Sequence, residues 1–292
     1  SRFAPGTLIV GANRDERPER PCEGPGVLSE APHVVGGRDR GAGGTWLAVR
    51  ERRAIVALLN RRDESSSVNG FSNGLVAGSP NGSSAGPTER RSRGLLALDV
   101  ACAPEGFENA LDASAEHRGL LAKIRATTRD PLGVSALARA FAALWESRYA
   151  PCSLVWASPE SAWVLSLDGG RAPRVAPISD GWHVITHRDL DDESEPRTAH
   201  LLEQLEYFRP RSVEKAEQRL GDLLRTHGDA ARDSGRAALP PVCVHEGGMV
   251  TVSSSLVFVD GDNGRYFHAD GRPCERRFED RSSLLRGVAH TG

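Results

Sequence analysis

Lysine, methionine and long apolar runs are scarce in this chain of 292 residues. Lys123 and Lys215 are its two lysines among 37 basic residues, and the others are arginines. We interpret this imbalance as the codon usage of GC-rich DNA rather than as recognition chemistry. The formal net charge is only -2, so no overall field favours nucleic acid or an anionic membrane as a partner.

Segments that would place the chain in a membrane or in the secretory pathway are also missing from the sequence. No apolar run approaches the roughly 20 residues of a membrane-spanning helix. The start lacks the basic region and apolar stretch of a signal peptide. We therefore predict a cytoplasmic protein without an integral membrane segment, with a small molecule as its ligand or substrate. Met249 is the single methionine, so we expect processing or truncation to have exposed Ser1.

The cysteines are few, odd in number and far apart, with no Cys-x-x-Cys pair: Cys22, Cys102, Cys152, Cys243 and Cys274. This spacing argues against a disulfide framework and against a zinc ribbon. We predict scattered reduced thiols.

Hydrophobic periodicity predicts blocks of antiparallel strands separated by blocks of helix. The predicted strands are 7–12, 45–49, 54–59, 153–157, 162–167, 182–186, 242–245, 249–252, 256–260 and 265–269. The predicted helices are 95–102, 105–115, 132–149, 196–208 and 212–227. Residues 63–91 are rich in Ser, Asn, Gly and Pro, which predicts a mobile surface loop. The pattern indicates one α+β domain over residues 1–292.

Several short motifs follow one another in a characteristic order. They are Asn13-Arg14-Asp15-Glu16, Gly37-Arg38-Asp39, Gly43-Gly44-Thr45-Trp46-Leu47 and Leu59-Asn60-Arg61-Arg62. Together they resemble the NRDE family, also known as the transport and Golgi organisation protein 2 family, which is named for the first tetrapeptide. The stretches 91–95, 186–197 and 251–255 resemble the family as well, so the resemblance covers essentially the whole chain.

This resemblance implies a four-layer αββα sandwich of the N-terminal-nucleophile hydrolase type. In that chemistry the terminal residue supplies the attacking sulfur or oxygen, and its own α-amino group acts as the general base. The family pattern places a Cys directly after the initiator Met. We therefore expect the nucleophile, at the head of a further strand, upstream of Ser1. Ser1 is the weaker candidate because it stands so close to Asn13.

The resemblance also assigns residues to the site. By similarity to the bile-salt and penicillin-V acylase branch, Asp15 holds the terminal amine, Asn13 lies near the same pocket and Asn60 is the side-chain donor of an oxyanion hole. Removing such a donor typically costs about 3 to 4 kcal/mol. The expected substrate-binding residues are Arg14, Glu16, Thr45, Trp46, Thr186, His187 and Ser253. His187 departs from the pattern, because related acylases carry an Asn there.

Three groups of residues mimic metal or cofactor sites, and we interpret each as structural. His183 and His187 lie about 13 Å apart if they share a strand, so with Asp189 and Asp191 they predict an acidic surface turn. Residues 260–264 lack the twelfth-position Glu of a calcium loop and predict a hairpin turn. Cys243-x-His245 matches a haem or thiolate pair, but on a predicted buried strand we interpret it as core packing. We therefore expect no metal and no required cofactor.

Two functional hypotheses and one alternative without function remain at this point. The first is a hydrolase of a non-peptide amide or acyl bond. The second is a non-catalytic binding or trafficking protein that holds haem or a lipid-like ligand in the same cleft. The third is a scaffold that binds no ligand. The residues alone leave open whether the chain is an enzyme, because a fold does not determine an activity.

Overall fold

The computed structural model describes residues 7–61, 90–110, 115–128, 130–168, 172–228, 240–261 and 263–286. Ser1 and nearly all of the predicted loop 63–91 lie outside these ranges. The descriptions below concern the described residues.

Two antiparallel sheets form the centre of the molecule. The smaller sheet contains, in spatial order, β1 (Leu8–Glu16), β9 (Val250–Asp260), β10 (Asn263–Ala269) and β11 (Glu279–Asp280). The larger sheet contains β2 (Cys22–Glu30), β3 (His33–Asp39), β4 (Leu47–Arg50), β5 (Ala54–Asn60), β6 (Cys152–Ala157), β7 (Ala162–Leu167) and β8 (Arg174–Ile178), in chain order. Strand β1 pairs with β9 from Leu8 to Glu16, so β9 holds the tetrapeptide strand in place.

The helices are α1 (Arg93–Ala101), α2 (Ala115–Thr127), α3 (Pro131–Glu146), α4 (Pro196–Leu205) and α5 (Val213–Leu224). Short 3-10 turns occupy Phe107–Ala110 and Ser282–Leu285. Three of the helices begin at a side-chain cap. Asp130 accepts from the nitrogen of Leu132, Glu195 from that of Thr198, and Ser212 from that of Lys215. These caps satisfy amide donors that have no partner within the helix.

Three apolar clusters bind the elements into layers. Leu96 of α1 and Leu137 of α3 pack with Trp156 on one face of the larger sheet. Val35 and Leu47 of the larger sheet pack with Val257 and Tyr266 of the smaller sheet. On the outer face of the smaller sheet, Leu220 and Leu224 of α5 pack with Leu256 and Phe258 of β9. The predicted four-layer αββα sandwich is confirmed.

Two predicted strands are wrong because local hydrogen bonds hold their backbones in loops. In 182–186 the nitrogen of Val184 donates to Asp191 Oδ1 at 2.7 Å, and the outer strand of the meander is β8 instead. In 242–245 the nitrogens of Val242 and Cys243 both donate to the carbonyl of Thr226, at 2.9 and 2.8 Å. In each segment these bonds use backbone amides that a sheet would need.

Other elements differ in extent. The predicted strands 249–252 and 256–260 are one continuous strand, β9. Within the predicted helix 105–115, Phe107–Ala110 form a 3-10 turn and Ala115 begins α2, while residues 111–114 lie outside the described ranges. Strands β2 and β3 were not predicted, because their glycines and charged residues obscure an alternating pattern.

Candidate active site

Strand β1 presents the tetrapeptide to two different layers of the sandwich. Successive side chains of a strand point to opposite faces. Asn13 reaches the end of α5, where its Nδ2 contacts the carbonyl of Leu224 at 2.9 Å. Arg14 points the other way and lies over the ring of Trp46 in the larger sheet, with 4.2 Å between the guanidinium carbon and the ring centroid. The motif therefore spans the space between the outer helices and the second sheet.

Residues from distant parts of the chain fix the side chain of Asp15. Its Oδ1 accepts a hydrogen bond of 2.6 Å from the hydroxyl of Thr251 on β9. Its Oδ2 accepts from Arg197 of α4 at 3.3 Å. The carboxylate is 28% exposed and lines the cleft described below. Since each carboxylate oxygen has two lone pairs, Asp15 retains acceptor capacity toward the cleft.

Asn13 makes two hydrogen bonds to backbone carbonyls. Its Nδ2 donates to Leu224 at 2.9 Å and to Val242 at 3.0 Å. The amide thereby ties β1 to the end of α5 and to the segment that leads into β9. Both amide protons are used in this way, so the donor role of Asn13 is structural.

The Arg14 and Trp46 pair closes the inner side of β1. Arg14 is 8% exposed, and its nearest carboxylate is that of Glu16 at 3.8 Å. A stacked guanidinium of this kind contributes about 0.5 to 2 kcal/mol. Gly37 of β3 allows the contact, because a Cβ on it would lie 2.2 Å from the Trp46 ring. The Gly37-Arg38-Asp39 motif therefore makes room for the tryptophan.

Glu16 belongs to a small network at the outer end of β1. Arg20 lies 3.6 Å from the Glu16 carboxylate and donates to Asp39 Oδ2. The other Asp39 oxygen accepts from the nitrogens of Gly41 and Ala42, at 2.9 and 3.2 Å. Asp39 thus folds the turn that precedes the Thr45 and Trp46 motif.

The glycines of that motif allow direct backbone packing. A Cβ on Gly44 would lie 2.1 Å from the carbonyl carbon of Gly94, and the nitrogen of Thr45 donates to the carbonyl of Gly94 at 3.0 Å. Thr45 is 2% exposed, and its hydroxyl donates to the carbonyl of Leu47. These contacts join the segments 43–47 and 91–95 directly.

Asn60 is the last residue of β5, is exposed, and lines the cleft. Its neighbour Arg61 is 8% exposed and connects four groups. Its guanidinium donates to Asp168 at 2.8 Å, Ser153 at 3.2 Å and the carbonyl of Arg188 at 3.1 Å, and lies 2.8 Å from Asp189. Arg61 therefore holds the loop that carries Thr186 and His187 beside the end of β5.

A cleft of about 2340 Å³ connects most of the predicted site residues. Those that line it are Asn13, Arg14, Asp15, Glu16, Thr45, Trp46, Asn60, Thr186 and His187. Ser253 is not among the lining residues. It pairs with Arg14 across the two strands, is 4% exposed, and its hydroxyl has no hydrogen-bond partner among the described residues.

The predicted acidic turn at 189–191 is held by ion pairs. His183 Nδ1 lies 2.7 Å from Asp191 Oδ2, and Asp189 pairs with Arg61 and Arg174. Asp191 has φ of 55°, in the left-handed region. Its carboxylate holds this turn through the nitrogen of Val184.

A second polar pair lies between the two sheets. Ser255 of β9 and His268 of β10 are opposite each other, with 3.0 Å between Oγ and Nδ1. Burial lowers the pKa of His268 to about 4, because the protonated ring would lose its hydration. Burial also raises the pKa of Tyr266 to about 12, against a smaller opposing effect of a hydrogen bond with Ser255. Both rings are therefore neutral at physiological pH.

Sequence reasoning missed three residues that position this site: Arg61, Arg197 and Thr251. Each lies inside a stretch that resembles the family, so the family resemblance could have marked them as candidate site residues. Their roles depend on contacts between distant segments, which spacing along the chain does not reveal.

The family model described as "Transport and Golgi organisation 2" matches residues 6–263. The chain therefore belongs to the Transport and Golgi organisation 2 family. No curated relative matches the chain significantly. Among the described residues, no helix combines the length and the apolar character needed to cross a membrane.

Solved structures similar to this chain include two enzymes. The Caenorhabditis elegans ortholog of N-acylethanolamine-hydrolyzing acid amidase is 14% identical, with a TM-score of 0.43 over 89% of this chain and 91% of that one. A mutant of the conjugated bile acid hydrolase from Clostridium perfringens is 10% identical, with a TM-score of 0.44 over 99% of this chain and 93% of that one.

Proposed function

We propose that the protein is a hydrolase of the N-terminal-nucleophile type that cleaves a non-peptide amide or acyl bond of a small molecule held in the cleft. The observation that carries the proposal is the placement of Asp15. Its carboxylate is clamped by Thr251 and Arg197 yet still faces the cleft. A carboxylate held in this way suits the orientation of a terminal amine.

The proposed reaction has two steps, acylation of the terminal nucleophile and hydrolysis of the acyl-enzyme. The terminal sulfur or oxygen attacks the substrate carbonyl, and the α-amino group takes the proton and passes it to the leaving amine. Water then attacks the acyl-enzyme and gives a proton to the α-amino group, the bond to the terminal nucleophile breaks as this proton passes to its sulfur or oxygen, and the acid leaves. Asp15 orients the amine through both steps, and Asn60 at the end of β5 is the proposed donor to the developing oxyanion.

The lining of the cleft indicates the class of substrate. Eight arginines and five carboxylates line it, so its charged groups are positive on balance, and its apolar groups include Leu58, Val155 and Ile178. Guanidinium groups bind carboxylate and similar anions well. We therefore expect a substrate with an apolar body and an acidic group.

The test uses protein produced from its complete native gene. Its mature N-terminus is identified by mass spectrometry, and an amine- or thiol-directed acylating probe is then applied. We expect acylation of the terminal residue, and a rate about 100-fold lower in Asp15→Asn. Asp222→Asn is the matched control, because Asp222 is 61% exposed on α5 and is not among the residues lining the cleft.

Circular dichroism of both variants separates a folding defect from a chemical one. A mature protein with a free terminus that is never acylated would contradict the hydrolase proposal. Equal acylation rates in Asp15→Asn and the native protein would contradict the role of Asp15.

A second candidate, a non-catalytic binding or trafficking protein for haem or a lipid-like ligand, is favoured by one observation. The cleft volume of about 2340 Å³ exceeds that of ordinary small-molecule pockets, about 300 to 1000 Å³. Titration with haemin and with a long-chain fatty acid tests this candidate. Saturable binding without turnover, weakened in Arg14→Met, would support it, and the absence of binding to both would exclude it.

A further inference from the structure

Four metal-ligating side chains meet on the outer side of the smaller sheet. His227 lies just after α5, Cys243 and His245 lie in the segment before β9, and Cys274 follows β10. One ligand atom from each lies within 4.8 Å of every other. The expectation of scattered thiols and no metal site did not foresee this cluster, because its members come from separate parts of the sequence.

The distances among Cys243, His245 and Cys274 match a tetrahedral centre. The two sulfurs of Cys243 and Cys274 are 3.6 Å apart. Nε2 of His245 lies 3.2 Å from Cys274 Sγ and 3.7 Å from Cys243 Sγ. Zinc bonds of about 2.3 Å to sulfur and about 2.0 Å to nitrogen place sulfurs about 3.8 Å apart and sulfur about 3.5 Å from nitrogen. The sulfurs are too far apart for a disulfide, which needs about 2.05 Å.

The second nitrogen of His245 faces a carboxylate. Its Nδ1 lies 3.8 Å from Glu275 Oε1, and the same oxygen accepts from Arg272 at 3.1 Å. Metal-bound histidines usually present their other nitrogen to a carboxylate or a carbonyl, which fixes the tautomer and the ring. The ring of His227 packs edge-on against that of His245, with 4.6 Å between centroids.

The backbone around the ligands is also held in place. The nitrogens of Val242 and Cys243 donate to the carbonyl of Thr226, next to His227. Arg225 donates to the carbonyl of Pro273, next to Cys274, at 3.0 Å. The three ligand-bearing segments are thus joined independently of any ion, which gives a preorganised site.

We propose that His227, Cys243, His245 and Cys274 bind one Zn²⁺ in a closed tetrahedral site. Two thiolates and two imidazoles are a donor set that zinc prefers, and four protein ligands leave no position for a reacting water. The site is therefore structural. Cys243 is 1% exposed whereas His227 is exposed, so the ion enters from the His227 side.

The proposed zinc site supports the residues of the candidate active site. Val242, adjacent to Cys243, accepts the hydrogen bond of Asn13. Val244, between the ligands Cys243 and His245, donates to Thr251 Oγ1, the hydroxyl that in turn holds Asp15. Zinc would therefore fix the segment 242–245, whose backbone holds Asn13 directly and Asp15 through Thr251. The proposal does not require the hydrolase activity, since it rests only on these contacts.

The first experiment measures metal directly. The reduced protein is purified without added chelator, its zinc is quantified by mass spectrometry, and the metal-free form is titrated with Co²⁺ as a spectroscopic probe. We expect about one zinc per chain, and a tetrahedral cobalt spectrum with thiolate charge-transfer bands. Cobalt bound without such bands, or no stoichiometric metal, would overturn the proposal.

Matched variants then locate the site. Cys274→Ser should lose the charge-transfer intensity of one thiolate and most of the affinity, while Cys22→Ser, at an exposed cysteine, should retain full binding. Glu275→Gln should weaken zinc binding about 10-fold without changing the ligand spectrum. Unchanged binding in Cys274→Ser would overturn the proposal. So would a Cys243 to Cys274 disulfide in the native protein whose reduced form takes up no metal.

Discussion

The hydroxyl of Thr251 lies 2.6 Å from Asp15 Oδ1 and 2.9 Å from the backbone nitrogen of Val244. It donates to the carboxylate and accepts from the amide, so one side chain joins β1, β9 and the segment that precedes β9. Thr251 is 1% exposed, so its hydroxyl is shielded from water. The position of Asp15 is therefore set by a residue far from it in the sequence.

Replacing Thr251 with Val keeps the shape of the side chain and removes both hydrogen bonds. The amide of Val244 and one Asp15 oxygen then lose their partner, which we expect to lower the free energy of unfolding by about 2 kcal/mol. Urea denaturation measures the change. Thr251→Ser, which keeps the hydroxyl, should cost less than half as much, and an equal cost in both variants would show that the hydrogen bonds are not the cause.

The bonds of Asn13 lead to a second prediction. In Asn13→Asp the donor nitrogen becomes a carboxylate oxygen facing the carbonyls of Leu224 and Val242. Two hydrogen bonds are lost and like partial charges meet, so we expect a loss of about 3 kcal/mol in the free energy of unfolding.

Asn263→Asp is the control for Asn13→Asp, because Asn263 is exposed at the start of β10. It should change stability by less than about 0.5 kcal/mol. Similar stability of the two variants would mean that the amide of Asn13 is not the tie between β1 and α5.

Much of the fold follows from local patterns, and the failures have physical causes. The start of helix α5 was predicted because Ser212 caps it, whereas its end lies at Leu224, three residues before the predicted end, with Arg225 as the C-cap. The strand prediction for 182–186 failed because the carboxylate of Asp191 satisfies the backbone of Val184, which hydrophobic alternation cannot indicate.

The predicted site residues share one cleft, but their contacts with other segments were not predictable from the sequence. The motif resemblance selected Asp15, Arg14 and Trp46, which all line the cleft. Sequence spacing gave no sign that Cys243 and Cys274 are neighbours, because the strands β9 and β10 lie between them in the chain. Contacts between distant segments depend on the assembled sandwich.

The packing of Gly37 against Trp46 gives a third prediction. A methyl group at position 37 would overlap the tryptophan ring and push it from Arg14, so Gly37→Ala should cost about 2 kcal/mol and alter tryptophan fluorescence. Gly26→Ala is the matched control in the adjoining strand, since a Cβ there meets nothing within 4 Å. If both variants change stability and fluorescence alike, the effect of Gly37→Ala comes from backbone entropy and not from the contact with the Trp46 ring.

Protonation of His268 gives the last prediction, a loss of stability in acid. The pKa of His268 is about 4 in the folded protein because the ring is buried, whereas an unfolded chain has a histidine pKa of about 6.5. Between these values the unfolded state binds one proton more, so the free energy of unfolding falls as the pH falls. Above about pH 6.5 the neutral His268 ring costs the folded protein no stability. By about pH 4 its reluctance to take up a proton has lowered the free energy of unfolding by about 3 kcal/mol.

The charged groups that act on the ring are Asp270 and Glu279, which oppose the lowering of its pKa, and Arg281, which adds to it. Urea denaturation at about pH 7 and about pH 4.5 should show a smaller loss of stability in His268→Gln than in the native protein. His200→Gln, on α4, should keep the native pH dependence. An NMR titration of His268 with a pKa near 6.5 would contradict the burial argument. A lowered pKa with an unchanged pH dependence in His268→Gln would instead place the acid sensitivity of this protein in its carboxylates and other histidines, because both kinds of group titrate in this range.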